Sequence, residues 1–250
     1  MTTPEVIFIV PYRDRQTHCT FFRKHMKSVM EDFPPFYYRI CFVHQRDNRP
    51  FNRGALKNIG FLAMKKAYPA DYKEITFVFN DIDTMPFVKD HLHYKTTPGV
   101  VKHFYGFRFA LGGVVSLLGS DFEKINGFPN FWAWGYEDNE LQRRVLMHKQ
   151  EMTIDRSEFY DILSQDFIHL QHGFMREANF KEKQRYGNKS LEGILDITQE
   201  KYILDEENDM IHVDYFETGT EPIHSLYATF NCMFESGIEQ SKNRKMKMFF

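Results

Sequence analysis

Cysteine is nearly absent from this 250-residue chain: Cys19, Cys41 and Cys232 are the whole supply. Three is an odd number and no C-x-x-C spacing occurs, which excludes a disulfide framework and a cysteine-based zinc site and fits a reducing compartment. Long apolar runs are missing too. Val6–Val10 is far too short for a signal h-region or a membrane span, and no basic segment precedes it. A net charge of −2 gives no general pull toward nucleic acid or an acidic membrane. There is no repeat and no low-complexity block. The expectation is a protein without a nucleic-acid partner or membrane segment, cytoplasmic as given and of microbial or viral origin. The alternative is a domain of the secretory route without its anchor, in which case the sequon Asn188–Ser190 would matter.

What the chain does have is order along its length. Val6–Val10 reads as a buried parallel strand, His18–Met30 as a helix, Tyr37–His44 as a second strand, Ala55–Ala67 as a helix and Glu74–Asn80 as a third strand. The order β-α-β-α-β predicts a doubly wound parallel sheet, in which ligands bind at the carboxyl ends of the strands. PYRDR, the polar loop Arg46–Arg53 and Asp81-Ile82-Asp83 all fall at those ends. Farther on, Gly112–Leu118 and Phe167–Leu170 read as strands, Asp138–Met147 as a helix and Lys201–Tyr215 as a hairpin, while Phe174–Tyr186 reads as polar and mobile. The basic run KNRKMK near the end reads as a solvated tail.

Four groups of residues carry candidate chemistry. Residues 128–140, FPNFWAWGYEDNE, hold the chain's only tryptophans, Trp132 and Trp134, beside Glu137 and Asp138. Flat rings next to carboxylates suit a sugar; a buried Trp followed by a helix start with acids on its dipole would look the same. Strand alternation points Asp81 and Asp83 the same way at a strand end. Two such carboxylates suit Mg²⁺ or Mn²⁺ with a phosphate ligand, or else cap a loop. His169 and His172 stand three apart, and imidazole suits Mn²⁺; surface histidines are the plain alternative. Arg13, Arg15 and Arg53 could clamp phosphate or uracil, with Phe51 stacked on a base, or simply pair with surface acids.

Taken in order and spacing, PYRDR, FNRGALKNIGF, FVFNDIDTMP, LGGVVSL, INGFPNFWAWGYEDNE and the H-x-x-H resemble the β-1,4-galactosyltransferase family, glycosyltransferase family seven, from about Val6 to Asp214. The resemblance implies an α/β, GT-A-like nucleotide-sugar-binding fold with a mostly parallel central sheet flanked by helices. It implies one catalytic domain over residues 1–216, leaving 217–250 as an extension without an assigned role. The implied activity is Mn²⁺-dependent, inverting transfer of galactose or N-acetylgalactosamine from a UDP-sugar to a hydroxyl of a free, protein-linked or lipid-linked glycan, with a β-1,4 linkage. A non-catalytic nucleotide-sugar or glycan-binding protein of the same fold is the competing reading, and a xylose acceptor is a further branch within the family.

Carried over by motif, Asp83, His169 and His172 are the implied metal ligands and Asp138 the implied base. Pro11, Tyr12, Arg13, Arg15, Phe51, Arg53, Asp81, Gly113 and Trp134 are implied at the UDP-sugar, and Glu137, with Tyr136 and Trp132, at the acceptor. The chain departs from the family where Ala133 and Tyr136 replace glycines and where Asn139 and Glu140 replace acids. Lactose-type members carry a bulky Tyr at the position of Ala110, and Ala leaves room for an N-acetyl group on the donor.

Overall fold

The computed structural model describes residues 2–132, 134–171, 175–222 and 227–231. Ala133, His172, Cys232 and the KNRKMK run lie outside them. The chain opens with strand β1 (Val6–Tyr12), helix α1 (Gln16–Val29), strand β2 (Tyr38–Gln45), helix α2 (Arg53–Ala67) and strand β3 (Thr76–Asn80). β2 and β3 pair with β1 on either side, both parallel. Every β1 residue is buried because both faces are covered. Val6, Phe8 and Val10 meet Phe22, Met26 and Val29 of α1, while Ile7 and Ile9 meet Ala55, Leu56 and Ile59 of α2.

The chain then adds β4 (Thr84–Pro86), β5 (Val100–Gly106), β6 (Val114–Leu118), α3 (Gly119–Lys124), α4 (Glu137–Met147), β7 (Thr153–Asp155), β8 (Tyr160–Asp161) and β9 (Phe167–His169). β6 runs antiparallel to β3 and carries β5 beyond it. β10 (Met175–Asn179) and α5 (Phe180–Gly187) follow, then β11 (Thr198–Asp205), β12 (Met210–Glu217) and β13 (Tyr227–Asn231). The main sheet runs β11-β12-β2-β1-β3-β6-β5-β7, with β8 also on β5. The expected hairpin is therefore β11–β12, and it joins the sheet through β12 parallel to β2.

Two expectations change. Helix α2 starts at Arg53, two residues earlier than its apolar periodicity indicated, because the Asn52 side chain accepts the Ala55 amide at 2.9 Å and caps the helix. The segment expected to be mobile instead holds β10, paired with β13, and α5. α5 is pinned through buried Glu182 and through Arg185, which pairs with Glu182 and Glu192. Among the described residues no helix is long and apolar enough to cross a membrane.

α2 is the spine of the molecule, buried from Gly54 through Phe61. Phe61, Phe77, Phe79, Phe122 and Phe128 make edge-on and tilted ring contacts with centroids 4.3–5.8 Å apart and form one phenylalanine cluster against this helix. Asn58 ties α2 to the chain before the Trp–acid block. Its Nδ2 donates to Phe128 O and Asn130 Oδ1, both at 2.8 Å, and its Oδ1 accepts the Phe128 amide at 3.0 Å. Gly60 lets α2 settle on the sheet: a Cβ there would lie 2.6 Å from Ile9 Cγ2 and 2.8 Å from Val43 Cγ2. Gly60→Ala should therefore cost about 1–3 kcal/mol through overpacking, read as a lower urea midpoint. An unchanged midpoint would mean that the helix does not press on the sheet there.

Candidate active site

The centre of the site is one guanidinium. Asn52 places Arg53 in the first turn of α2, and its three nitrogens reach three carboxylates delivered by different parts of the chain. Nη1 bonds Asp81 at the end of β3, Nε bonds Glu137 at 2.8 Å, and Nη2 bonds Asp138. Glu137 and Asp138 open α4. Lys57, one turn farther along α2 and fully buried, adds a second cation 3.3 Å from Asp81 and 3.8 Å from Asp138.

Three carboxylates thus share two cations in a largely enclosed place, and Asp81 and Asp138 respond to it differently. Burial works against charge on Asp81, but Arg53 and Lys57 outweigh it and hold its pKa below the ordinary value. For Asp138 burial wins. Opposed by Arg53 and Lys57 but reinforced by Glu137 and Asp81, it lifts the pKa from 3.8 to about 6.

The loop before β6 closes over Asp138. The Leu111 amide donates to the Asp138 carbonyl at 3.0 Å, and a Cβ on Gly112 would overlap the Asp138 carboxylate. Gly113 has φ +71, open to glycine at little cost, and its carbonyl accepts the Asp81 amide at 2.9 Å. Ala110 sits in the same loop, nearly buried. His103, which sequence reasoning missed, holds the loop from behind. Its Nε2–H donates to the Tyr105 and Gly112 carbonyls at 3.1 Å each, and its Nδ1 accepts from Arg156 Nε at 3.0 Å. Burial, with Arg156 adding to it, drives its pKa to about 4 and keeps the ring neutral.

The other strand ends meet here as expected. Arg13 bonds the Arg49 carbonyl and lies 5.8 Å from the Phe51 ring centroid. Arg15 bonds Asp83 at 3.1 Å. Pro11 and Tyr12 are buried; Tyr12 stacks on His44 with centroids 4.6 Å apart, so it supports the edge from beneath. β4 pairs with β9 so that Thr84 stands opposite His169, and the Leu170 amide donates to the Asp83 carbonyl at 2.8 Å. That brings a carboxylate and an imidazole side by side, a donor pair that suits Mn²⁺. Among the described residues no three His, Cys, Asp or Glu gather into a complete ligand set, and the third expected ligand, His172, lies outside them.

The Trp–acid block divides. Trp132 is fully buried, its ring stacked on Phe216 at 5.4 Å and its Nε1 donating to Thr220 O at 2.7 Å. This corrects the expectation of an acceptor contact: the ring has no face left for a sugar. Trp134 is 46% exposed. Tyr136 stands just before α4 at φ 70, a left-handed conformation that suits the glycine the family carries there, and its ring stacks on Tyr186 at 4.8 Å.

The fold and this site define an α/β protein of the GT-A class. The N-terminal region of glycosyl transferase group 7 matches residues 1–97, and the N-terminal domain of galactosyltransferase matches residues 92–173. The chain belongs to the glycosyltransferase group 7 family. It is 31% identical over 159 residues to β-1,4-galactosyltransferase 4 of Cricetulus griseus, covering 59% of this chain and 44% of that protein. It is 30% identical over 190 residues to xylosylprotein 4-β-galactosyltransferase of Caenorhabditis elegans, covering 72% and 63%. The chain thus spans less than two thirds of the length of either relative. The catalytic domain of Drosophila β-1,4-galactosyltransferase 7, solved with xylobiose, superposes with a TM-score of 0.64 at 20% identity over 90% of this chain and 98% of that one. A mutant of that enzyme, solved with manganese, UDP-Gal and xylobiose, gives 0.61 at 18% over the same shares.

The raised pKa of Asp138 has a consequence for stability. An acid whose folded pKa exceeds its unfolded value favours the fold below the unfolded pKa, and that contribution is lost as pH rises through about 6. A shift of this size corresponds to about 3 kcal/mol. Asp138→Asn cannot ionise, so its stability relative to wild type should climb by up to that amount between pH 4 and 7 in urea unfolding. A flat difference would contradict the assignment.

Proposed function

We propose that this chain is an inverting glycosyltransferase that moves galactose, or N-acetylgalactosamine, from UDP to a hydroxyl of a sugar acceptor. The observation that carries this reading is the cluster of Asp81, Glu137 and Asp138 around Arg53 and Lys57, at the strand end where Asp83 and His169 also meet. The relatives named as β-1,4-galactosyltransferases support it. The neighbour solved with manganese and UDP-Gal supports the donor and the cofactor.

Asp83 and His169, with His172, would hold Mn²⁺, which supplies positive charge against the UDP leaving group. Arg13 and Arg15 reach the same edge and bind the diphosphate or the base, with Phe51 against the uracil. Asp138 accepts the proton of the acceptor hydroxyl as it attacks the anomeric carbon from the face opposite UDP. A pKa of about 6 suits that role near neutral pH, since the carboxylate is then charged yet basic enough to take a proton. Glu137 and exposed Trp134 border the acceptor. The route needs no protein nucleophile.

UDP release from UDP-Gal and UDP-GalNAc, with Mn²⁺ and a panel of GlcNAc, glucose and xylose acceptors, tests the reading. Acceptor-stimulated release that disappears with EDTA is expected. Asp138→Asn should keep UDP binding while lowering turnover by roughly two to four orders of magnitude. UDP binding without release from any pair would favour a nucleotide-sugar-binding protein instead. Ala110, small and in the loop beside Asp138, leaves room for the donor's N-acetyl group. Ala110→Tyr should therefore lower the rate with UDP-GalNAc relative to UDP-Gal, and an unchanged ratio would remove Ala110 from donor choice.

A further inference from the structure

Lys57 is the one fully buried charge at the site, and the transfer chemistry above gives it no task. It follows Arg53 by four residues on α2, so both project from the same face of the helix. Its Nζ lies 3.3 Å from Asp81 Oδ1, 3.8 Å from Asp138 Oδ1 and 4.6 Å from the Phe128 ring centroid. None of these three polar atoms has a well-aligned hydrogen bond among the described residues, and the ammonium faces the two carboxylates mainly as a charge. An ammonium taken fully out of water persists only where such partners offset the cost. Without it, Arg53 alone would face three carboxylates.

We propose that Lys57 is a positioning residue for the transfer reaction: its buried ammonium, set between Asp81 and Asp138, keeps the Asp138 carboxylate anionic and aligned beside Gly112. The proposal rests on Asp138 as the base. The charged groups that face Asp138 are Arg53 and Lys57 from α2, Asp81 from the end of β3 and Glu137 beside it on α4. The loop before β6 meets Asp138 through the Leu111 amide and Gly112. A full charge at this separation, in an environment of effective dielectric about 20, is worth roughly a hundredfold or more in proton affinity. Lys57 therefore sets how far toward acid pH the base remains usable.

The test uses Lys57→Met and Lys57→Gln in the full chain. Gln keeps a hydrogen-bonding end without the charge, which separates charge from packing. Three quantities are measured: kcat/KM with UDP-Gal and Mn²⁺ from pH 5 to 8.5, UDP affinity by calorimetry, and the carbon-13 titration of the Asp138 carboxyl, assigned by its loss in Asp138→Asn. Both the titration midpoint and the acid limb of kcat/KM should move up by a pH unit or more. The fold loss of activity should be deepest at the acid end of this range and shrink as pH rises, with UDP affinity kept. A midpoint that stays put in a folded variant overturns the proposal, and so does a loss equal at every pH. If Asp138→Asn is active, the assignment of the base fails separately, and the carbon titration still decides whether Lys57 governs the charge on Asp138.

Discussion

The rest of the site depends on a single buried ion network. The Arg53 guanidinium draws together Asp81 from a strand end and Glu137 and Asp138 from a helix start 84 and 85 positions away along the chain. A charge largely withdrawn from water is stable only with partners in good geometry, and removing one partner leaves the others uncompensated. The network therefore constrains everything that feeds it. Asn52 must start α2 at Arg53, Gly112 must leave room for the Asp138 carboxylate, and His103 must hold the Gly112 carbonyl in place.

Packing and chemistry share the same helix. α2 is covered by the sheet on one side and by the 122–130 segment on the other, and the phenylalanine cluster fixes that arrangement. The hydrogen bonds from Asn58 to residues 128 and 130 then set where the chain must leave the core to begin the Trp–acid block. A shift of α2 against the sheet would move the guanidinium and the carboxylates together. The apolar core is in this sense part of the site, because close-packed interiors transmit small displacements rather than absorb them.

The motifs at strand ends were legible from the chain because period-2 and period-3.6 patterns are local. PYRDR, the loop before Arg53 and Asp81–Asp83 lie where the alternation of strands and helices placed them. Lys57 could have been suspected, since it interrupts the apolar stripe of α2 at four residues from Arg53. Nothing local marks it as buried, however, and most lysines in helices face water. Trp132 and Trp134 stand two apart in one motif and read alike, yet one is a core ring on Phe216 and the other lies at the surface. Phe216 is 84 residues downstream on β12, out of reach of any local pattern. The polarity of residues 174–186 suggested mobility; pairing of β10 with β13, and of Arg185 with Glu192, gave the described part from residue 175 onward its structure.

By itself the sequence determined the doubly wound core, the family and the identity of the residues with chemistry to offer, because helix and strand patterns and short motifs are written in neighbouring positions. Tertiary structure decided which charges share a partner, which tryptophan is buried, and that three carboxylates must divide two cations. Those outcomes depend on distance and dielectric between segments far apart in the chain, and a one-dimensional order does not contain either quantity.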